Sequence, residues 1–210
     1  MHPSLPTLTE LVPPPGPRRT RDWAAVERTL GTRLPQDYKG LVEVYGGGLF
    51  DETVWLLDPA CPDADYNLLA QVTERAEILA QLWENEPKPA ELLRPGAGVL
   101  PWAYIEGSGA MLYWLIEPGR EPDAWTVLFN EGRGPEWEHH ATQCAPFLLA
   151  VLTGGRAAST STTCPPAATG SSRTTRFSPR RLPSDQGRSM SPVIKASAFG
   201  RAAYAESRPH

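Results

Sequence analysis

The side chains best suited to metal binding lie together between residues 136 and 144. Two adjacent histidines, His139 and His140, are preceded by Glu138 and followed by Cys144. A structural zinc site needs four ligands at turn-like spacing, and this segment has neither a C-x-x-C nor an H-x-x-x-H pair. The sequence therefore predicts no metal site and no cofactor. The histidines are expected at the surface, at a strand end and in the loop after it.

Catalytic residue patterns are also missing. The Gly-Ser-Gly sequence at 107–109 is a short turn without the G-x-S-x-G, strand and helix context of a serine hydrolase. Paired carboxylates occur at Asp51-Glu52 and at Asp63 with Asp65, but no surrounding pattern marks either pair as an acid–base couple. We therefore expect no catalytic residues and no enzymatic activity.

Three consecutive glycines, residues 46–48, raise the possibility of a phosphate-binding loop. Such a loop continues into a lysine and a helix, whereas here Leu49 and Phe50 follow. The residues before the glycines share one apolar stripe at helical spacing, namely Tyr38, Leu41, Val42 and Tyr45. The glycines are therefore predicted to end a helix and form a turn.

Charge is distributed unevenly along the 210 residues. Residues 1–155 contain 22 acidic and 11 basic side chains, a net charge of −11, and residues 156–210 contain 2 acidic and 9 basic ones, a net charge of +7. An acidic body repels nucleic-acid phosphates and anionic lipids, so we expect no direct nucleic-acid partner and no membrane partner. A basic protein partner fits this charge, although many acidic surfaces serve only solubility.

Several aromatic residues could form a stacking platform for single-stranded nucleic acid: Trp102, Tyr104, Tyr113, Trp114 and Trp125. Their acidic surroundings argue against this, because such platforms lie in basic grooves. Most of them are predicted to pack in the core.

The cysteines and the N-terminal sequence indicate a cytoplasmic protein. Cys61, Cys144 and Cys164 are odd in number and have no C-x-x-C spacing, which is typical of free thiols in a reducing compartment. The N-terminus lacks the apolar stretch of a secretory signal. No apolar run approaches the roughly 18 residues of a membrane helix.

Hydrophobic periodicity predicts one α+β domain over residues 20–155. Four helices are predicted, with start or stop residues at Thr20, Gly31, Asn67 and Thr142. Strands are predicted over 49–58, in two runs joined at 107–109, over 124–130 and over 136–140. Adjacent strands in this order favour a largely antiparallel sheet flanked by helices.

Two segments lie outside this predicted domain. Residues 1–19 are predicted to form a proline-rich lead-in, in which residues 11–19 are extended. Residues 156–210 have no apolar period and contain none of the seven tryptophans, so a disordered, low-complexity basic tail is predicted. The abrupt change of composition also raises the hypothesis of an altered reading frame, which transcript and genome reads across codons 154–158 would test.

The helices, the glycines and the hairpin together carry a pattern found in a known family. The pattern comprises L-P-x-D-Y-K from Leu34, Y-G-G-G from Tyr45, the hairpin at 100–114 and the last helix at 144–155. Over about residues 21–155 the chain resembles the SUKH superfamily, which includes the Knr/Smi-type domain of the yeast cell-wall-synthesis regulator and bacterial immunity proteins of polymorphic toxin systems. The residues that carry the resemblance are expected to determine the fold: Trp23, Glu27, Gly31, Leu34, Pro35, Tyr38, Tyr45, Gly46 and Gly47.

The resemblance implies a binding role and supplies no catalytic residues. It implies an immunity protein that binds and neutralises a cognate toxin, which the charge predicts to be basic. A regulatory interaction module similar to the yeast regulator stays open as the alternative. Partner contacts are predicted on carboxylates of the loops near the glycines and after the first strand: Asp51, Glu52, Asp58, Asp63 and Asp65.

Overall fold

The protein is described here by a computed structural model that covers residues 2–132, 135–154 and 176–179. These residues belong to one compact unit, with five α-helices and a seven-stranded antiparallel sheet. The predicted α+β class, with an antiparallel sheet flanked by helices, is confirmed. Within the described residues, no helix combines the length and the apolar character needed to cross a membrane.

The first six strands follow one another across the sheet, and the seventh returns to the edge formed by the first. The helices are α1 (Ser4–Leu11), α2 (Trp23–Leu30), α3 (Gln36–Tyr45), α4 (Leu68–Asn85) and α5 (Cys144–Leu152). The strands are β1 (Gly48–Phe50), β2 (Val54–Leu56), β3 (Gly98–Ile105), β4 (Met111–Ile116), β5 (Thr126–Asn130), β6 (Trp137–His140) and β7 (Phe177–Pro179). Their order in the sheet is β6-β5-β4-β3-β2-β1-β7.

Local cap residues set the helix ends largely as the sequence predicts. The Asn67 side chain accepts hydrogen bonds from the first amides of α4, and Gly31 ends α2 with a positive φ of 71°. The start of α2 differs, because the Asp22 carboxylate, rather than Thr20, accepts from the Ala25 amide over 3.0 Å. An aspartate one turn before the amide serves the same capping chemistry.

The glycine run ends α3 and starts the sheet. Gly46 follows the helix with a φ of 73°, and Gly48 is already the first residue of β1. A Cβ atom on Gly47 would lie 2.7 Å from the Cβ of Asp58, so this position needs the absence of a side chain. The predicted helix end is confirmed, and a strand follows where a phosphate-binding loop would need a helix.

The predicted single strand over 49–58 is wrong, because the chain folds back on itself there. Asp51 and Glu52 have φ angles of 46° and 55° and form the turn between β1 and β2. The Thr53 amide donates to the Phe50 carbonyl over 2.9 Å and closes this turn. Two short strands therefore replace one longer strand.

The two faces of the sheet are covered by different helices. Helices α1, α3 and α5 lie against the face with the larger core, whose biggest buried side chains include Trp102, Trp114, Tyr38, Tyr45 and Phe50. Helix α4 covers part of the other face, where Leu79 packs with Tyr113, Leu115 and Leu128. Because successive side chains along β4 point to opposite faces of the sheet, this strand contributes side chains to both cores.

The segment predicted as a proline-rich lead-in, residues 1–19, contains a helix, α1, and its part predicted to be extended follows that helix. Leu5, Leu8 and Val12 are buried in the larger core, and the Tyr45 hydroxyl donates to the Val12 carbonyl over 2.8 Å. Pro6 lies in the first helical turn, where its missing N–H costs no hydrogen bond. The folded domain therefore begins before residue 20.

The predicted disorder of residues 156–210 does not hold for residues 176–179, because β7 pairs there with β1. The ring of Phe177 packs against Phe50 and Tyr45, which offsets the ordering cost of this short segment. The rest of the predicted tail lies outside the described residues.

Candidate partner-binding surface

Three aromatic side chains meet on the α4 side of the sheet. Trp55 in β2 is the register partner of Tyr104 in β3, and Tyr66 belongs to a 3-10 turn, Ala64–Tyr66, before α4. Ring centroids are 4.6 Å apart for Trp55 and Tyr66, and 6.2 Å apart for Trp55 and Tyr104. All three side chains are partly exposed. We call Trp55, Tyr66 and Tyr104 the aromatic patch.

Carboxylates border the aromatic patch. The indole N–H of Trp55 donates to the Glu106 carboxylate. Burial raises the pKa of the Tyr104 phenol well above its usual value, and a hydrogen bond with Tyr66 and the charges of Glu106 and Asp65 raise it further. The patch is therefore neutral at its rings and negative at its border.

Two turns bring the acidic residues to this end of the sheet. The Glu106 amide, at the turn after β3, donates to the Thr53 carbonyl in the β1–β2 turn over 2.8 Å. This places the turn with Asp51 and Glu52 beside the turn with Glu106. Glu52 is exposed and Asp51 is partly exposed.

Asp65 belongs to the 3-10 turn that carries Tyr66, and Asp63 is the N-cap of that turn. The Asp63 carboxylate accepts a hydrogen bond from the Asp65 amide over 3.1 Å and caps the turn. Asp65 is exposed. Of the five predicted contact residues, Asp65 is thus the one placed at the border of the aromatic patch, and Asp63 holds the turn beside it.

The prediction of a partner contact at Asp58 is corrected by its burial. Only 4% of this residue is exposed, and Arg21 donates to its two oxygens over 2.7 and 3.1 Å. The amides of Gly47 and Ala60 donate to the same carboxylate over 3.1 and 2.9 Å. The bond to Asp58 raises the pKa of the Arg21 guanidinium. Asp58 therefore joins the segment before α2, the glycine turn and the chain after β2.

The residues of the sequence pattern lie where helices meet. The indole N–H of Trp23 donates to Glu43 over 2.9 Å. Glu27 pairs with Lys39 and accepts from the Leu34 amide over 2.9 Å, which joins α2 to the start of α3. These residues position α2 and α3 relative to each other.

The candidate metal ligands between residues 136 and 144 are not arranged around a common point. His139 is exposed and lies 2.9 Å from the Thr126 hydroxyl, whereas His140 is partly buried against Phe147. Cys144 is buried at the start of α5. Across the described parts of the chain, no three His, Cys, Asp or Glu side chains form a group that could hold a metal ion.

Most of the aromatic residues considered for nucleic-acid stacking are core residues, as predicted. Four of them are buried, namely Trp102, Tyr113, Trp114 and Trp125. Only Tyr104 is partly exposed. It belongs to the aromatic patch, which has the carboxylates of Glu106 and Asp65 at its border.

A comparison with protein-family models assigns residues 20–143 to SUKH_6, described as SMI1-KNR4 cell-wall. The matched segment is more than half of the chain and runs from before α2 to just before α5. The chain belongs to the SUKH superfamily. Neither a search of curated proteins nor a search of solved structures finds a match.

The SUKH domain seen here extends beyond the matched segment at both ends. Helix α1 precedes residue 20, and α5 and β7 follow residue 143. SUKH domains generally act as non-catalytic regulatory or immunity modules. A surface for protein binding is therefore the kind of site to expect in this chain.

Sequence patterns did not identify three residues of this surface, namely Trp55, Tyr66 and Glu106. Trp55 does carry a signal, because it alternates with the apolar residues Val54 and Leu56 and so must face away from their core. Tyr66 and Glu106 carry no such signal, since only the fold brings their turns together.

Proposed function

We propose that this SUKH protein is an immunity protein that binds and neutralises a cognate bacterial toxin. We further propose that the toxin contacts the aromatic patch and its acidic border. The observation that carries this proposal is the group of partly exposed Trp55, Tyr66 and Tyr104 rings beside Glu106 and Asp65.

The composition of this surface suits protein recognition. Interfaces are enriched in Trp and Tyr at their centre and are polar at their rim. Truncating such an aromatic anchor typically weakens binding by about 2 kcal/mol or more. Trp55 has its N–H satisfied by Glu106, so its ring is already oriented before a partner arrives.

Charge defines the proposed partner. Residues 1–155 carry a net charge of −11. Asp65 borders the aromatic patch, and the turn with Asp51 and Glu52 adjoins the turn with Glu106. A basic toxin is attracted by this field, whereas nucleic acid is repelled. The proposed partner is accordingly a basic protein, such as an enzyme that itself acts on nucleic acid.

Co-expression tests this function directly. Where a toxin domain is encoded beside this gene, it is expressed together with the protein, and growth of the host cells is expected to be rescued. Reversing Glu52, Asp65 and Glu106 to Lys should weaken rescue while the far-UV circular dichroism spectrum is retained. The matched control reverses three exposed acids on α1 and α4, namely Glu10, Glu77 and Glu84, which changes net charge equally and should preserve rescue.

A different result would favour a second function. The cell-wall description of the family model favours a regulatory interaction module similar to the yeast regulator as the alternative. If the purified protein and the toxin domain do not associate at micromolar concentration in low salt, the immunity proposal is wrong for that pair. The regulatory module then becomes the better account.

A further inference from the structure

The outer edge of the sheet is paired with a segment from far along the chain. Strand β7 runs antiparallel to β1, with Phe177 opposite Phe50 and Pro179 opposite Gly48. In the sequence, 21 residues separate Gly154 from Arg176. The segment matched by the family model ends at residue 143 and so does not include β7. Strand β7 therefore lies outside the matched segment.

The edge holds a socket that fits one aromatic side chain. The ring centroid of Phe177 lies 4.8 Å from that of Phe50 and 5.2 Å from that of Tyr45. Both of these residues are fully buried. A Cβ atom on Gly48 would lie 2.5 Å from the Phe177 ring, so the ring fits here only because Gly48 has no side chain. We call Tyr45, Gly48 and Phe50 the aromatic socket.

The segment seated on this edge is basic, and the adjoining turn is acidic. Arg176 and Arg180 flank β7 in the sequence, and Asp51 and Glu52 follow β1. The Asp51 amide donates to the Arg176 carbonyl over 2.7 Å, so the backbones of the two segments meet at this point. Carboxylates beside the edge of a sheet favour the pairing of a basic strand over an acidic one.

We propose that the β1 edge is a docking site for an extended basic peptide of a partner protein that carries an aromatic side chain. Residues 176–179 occupy this site as an internal competitor. Strand addition provides affinity through backbone hydrogen bonds and specificity through side-chain pockets. The resident pairing covers three residues and ends at Pro179, which has no N–H to donate, so a partner strand can displace it.

This docking site is distinct from the aromatic patch. Leu49 is paired with Trp55, whereas the neighbouring Phe50 is paired with Val54. Because successive side chains of a strand point to opposite faces, the aromatic socket and the aromatic patch lie on opposite faces of the sheet. Substitutions in the aromatic socket therefore leave the rings of the aromatic patch unchanged, although the turn with Asp51 and Glu52 adjoins both surfaces.

The test measures binding of a labelled peptide with the sequence of residues 173–182 to the full-length protein by fluorescence anisotropy. A tethered competitor acts at an effective concentration on the order of 1 mM. A peptide with a Kd of about 100 µM for the open site would then bind the wild-type chain about tenfold more weakly. The Phe177→Ala chain, whose competitor lacks the ring, should bind the peptide about tenfold more tightly than wild type. Leu93→Ala, which removes an exposed apolar side chain outside β1 and β7, is the control and should bind like wild type.

Further variants test whether the aromatic socket binds the phenylalanine side chain of the peptide. Adding Gly48→Val to Phe177→Ala should abolish binding, and a peptide with its phenylalanine replaced by alanine should not bind. Phe177→Leu, a milder change, should give an intermediate affinity, and it tests the proposal even if Phe177→Ala does not fold. Equal binding to wild type and Phe177→Ala, or equal binding of a scrambled peptide, would overturn the proposal. A wild-type dimer that becomes monomeric in Phe177→Ala would also overturn it, because a second copy would then occupy the socket.

Discussion

Single polar side chains join distant parts of the chain inside this SUKH domain. The Tyr38 hydroxyl donates to the Leu57 carbonyl over 2.7 Å. The Asp37 carboxylate accepts from the Ala145 amide over 2.9 Å and so caps α5, the role that the sequence predicts for Thr142. Since each group is buried, losing one partner leaves the other unsatisfied.

The Asp58–Arg21 pair should be a large contributor to stability. Asp58→Ala is expected to lower the free energy of unfolding by about 3–5 kcal/mol, because removing one partner leaves a largely buried charge uncompensated. Urea unfolding measures this. Glu77→Ala, an exposed change on α4, should stay within about 0.5 kcal/mol of wild type. A loss below about 1 kcal/mol for Asp58→Ala would contradict the structural role.

Burial of His140 should make the fold less stable in acid. Burial lowers the pKa of His140, although Glu138 raises it. Between that lowered value and the ordinary value of about 6.5, the unfolded chain binds more protons than the folded chain, so stability falls as the pH is lowered through this range. Unfolding free energies at pH 7.5 and 5.5 should differ less for His140→Gln than for wild type. An unchanged difference would exclude His140 as a source of acid sensitivity.

Helix α1 shows how an element outside the family match can belong to the core. It packs against α3 and α5. A Cβ on Gly40 of α3 would lie 2.4 Å from the Leu5 side chain, so the two helices approach closely at this glycine. The domain core is therefore completed by residues that precede the matched segment.

Truncation of a buried α1 side chain tests this element. Leu8→Ala is expected to cost about 2–5 kcal/mol, because it removes apolar contacts and leaves a cavity. Thr7→Ala, one residue earlier on the exposed side of α1, should have little effect. Thermal and urea unfolding provide the comparison. If the two variants unfold alike, α1 does not contribute to the core.

On the scale of the whole molecule, charge should govern the rate of association. If the partner is basic, the net charge of −11 in residues 1–155 should raise the association rate constant toward ~10⁸ M⁻¹s⁻¹ at low salt. Stopped-flow measurements at increasing salt should show a steep fall of this rate. A rate that does not change with salt would contradict electrostatic steering and the basic character of the partner.

The sequence alone was enough to predict the family, the fold class and most element ends. Gly31, Gly46 and Asn67 act within one helical turn, and apolar periodicity reports which side of an element is buried. Such signals are local, so they need no knowledge of the remaining chain. The same local signals placed Trp102 and Trp114 in the core.

Only the tertiary structure decided which polar and aromatic residues form surfaces. Asp58 looks like any loop carboxylate in the sequence, but Arg21 lies 37 residues away in the chain and meets it in the fold. The aromatic patch and the β1–β7 pairing likewise join residues from separate elements. Side-chain type specifies what a residue can bind. The packing of distant elements specifies whether water, a partner or another part of the chain reaches it.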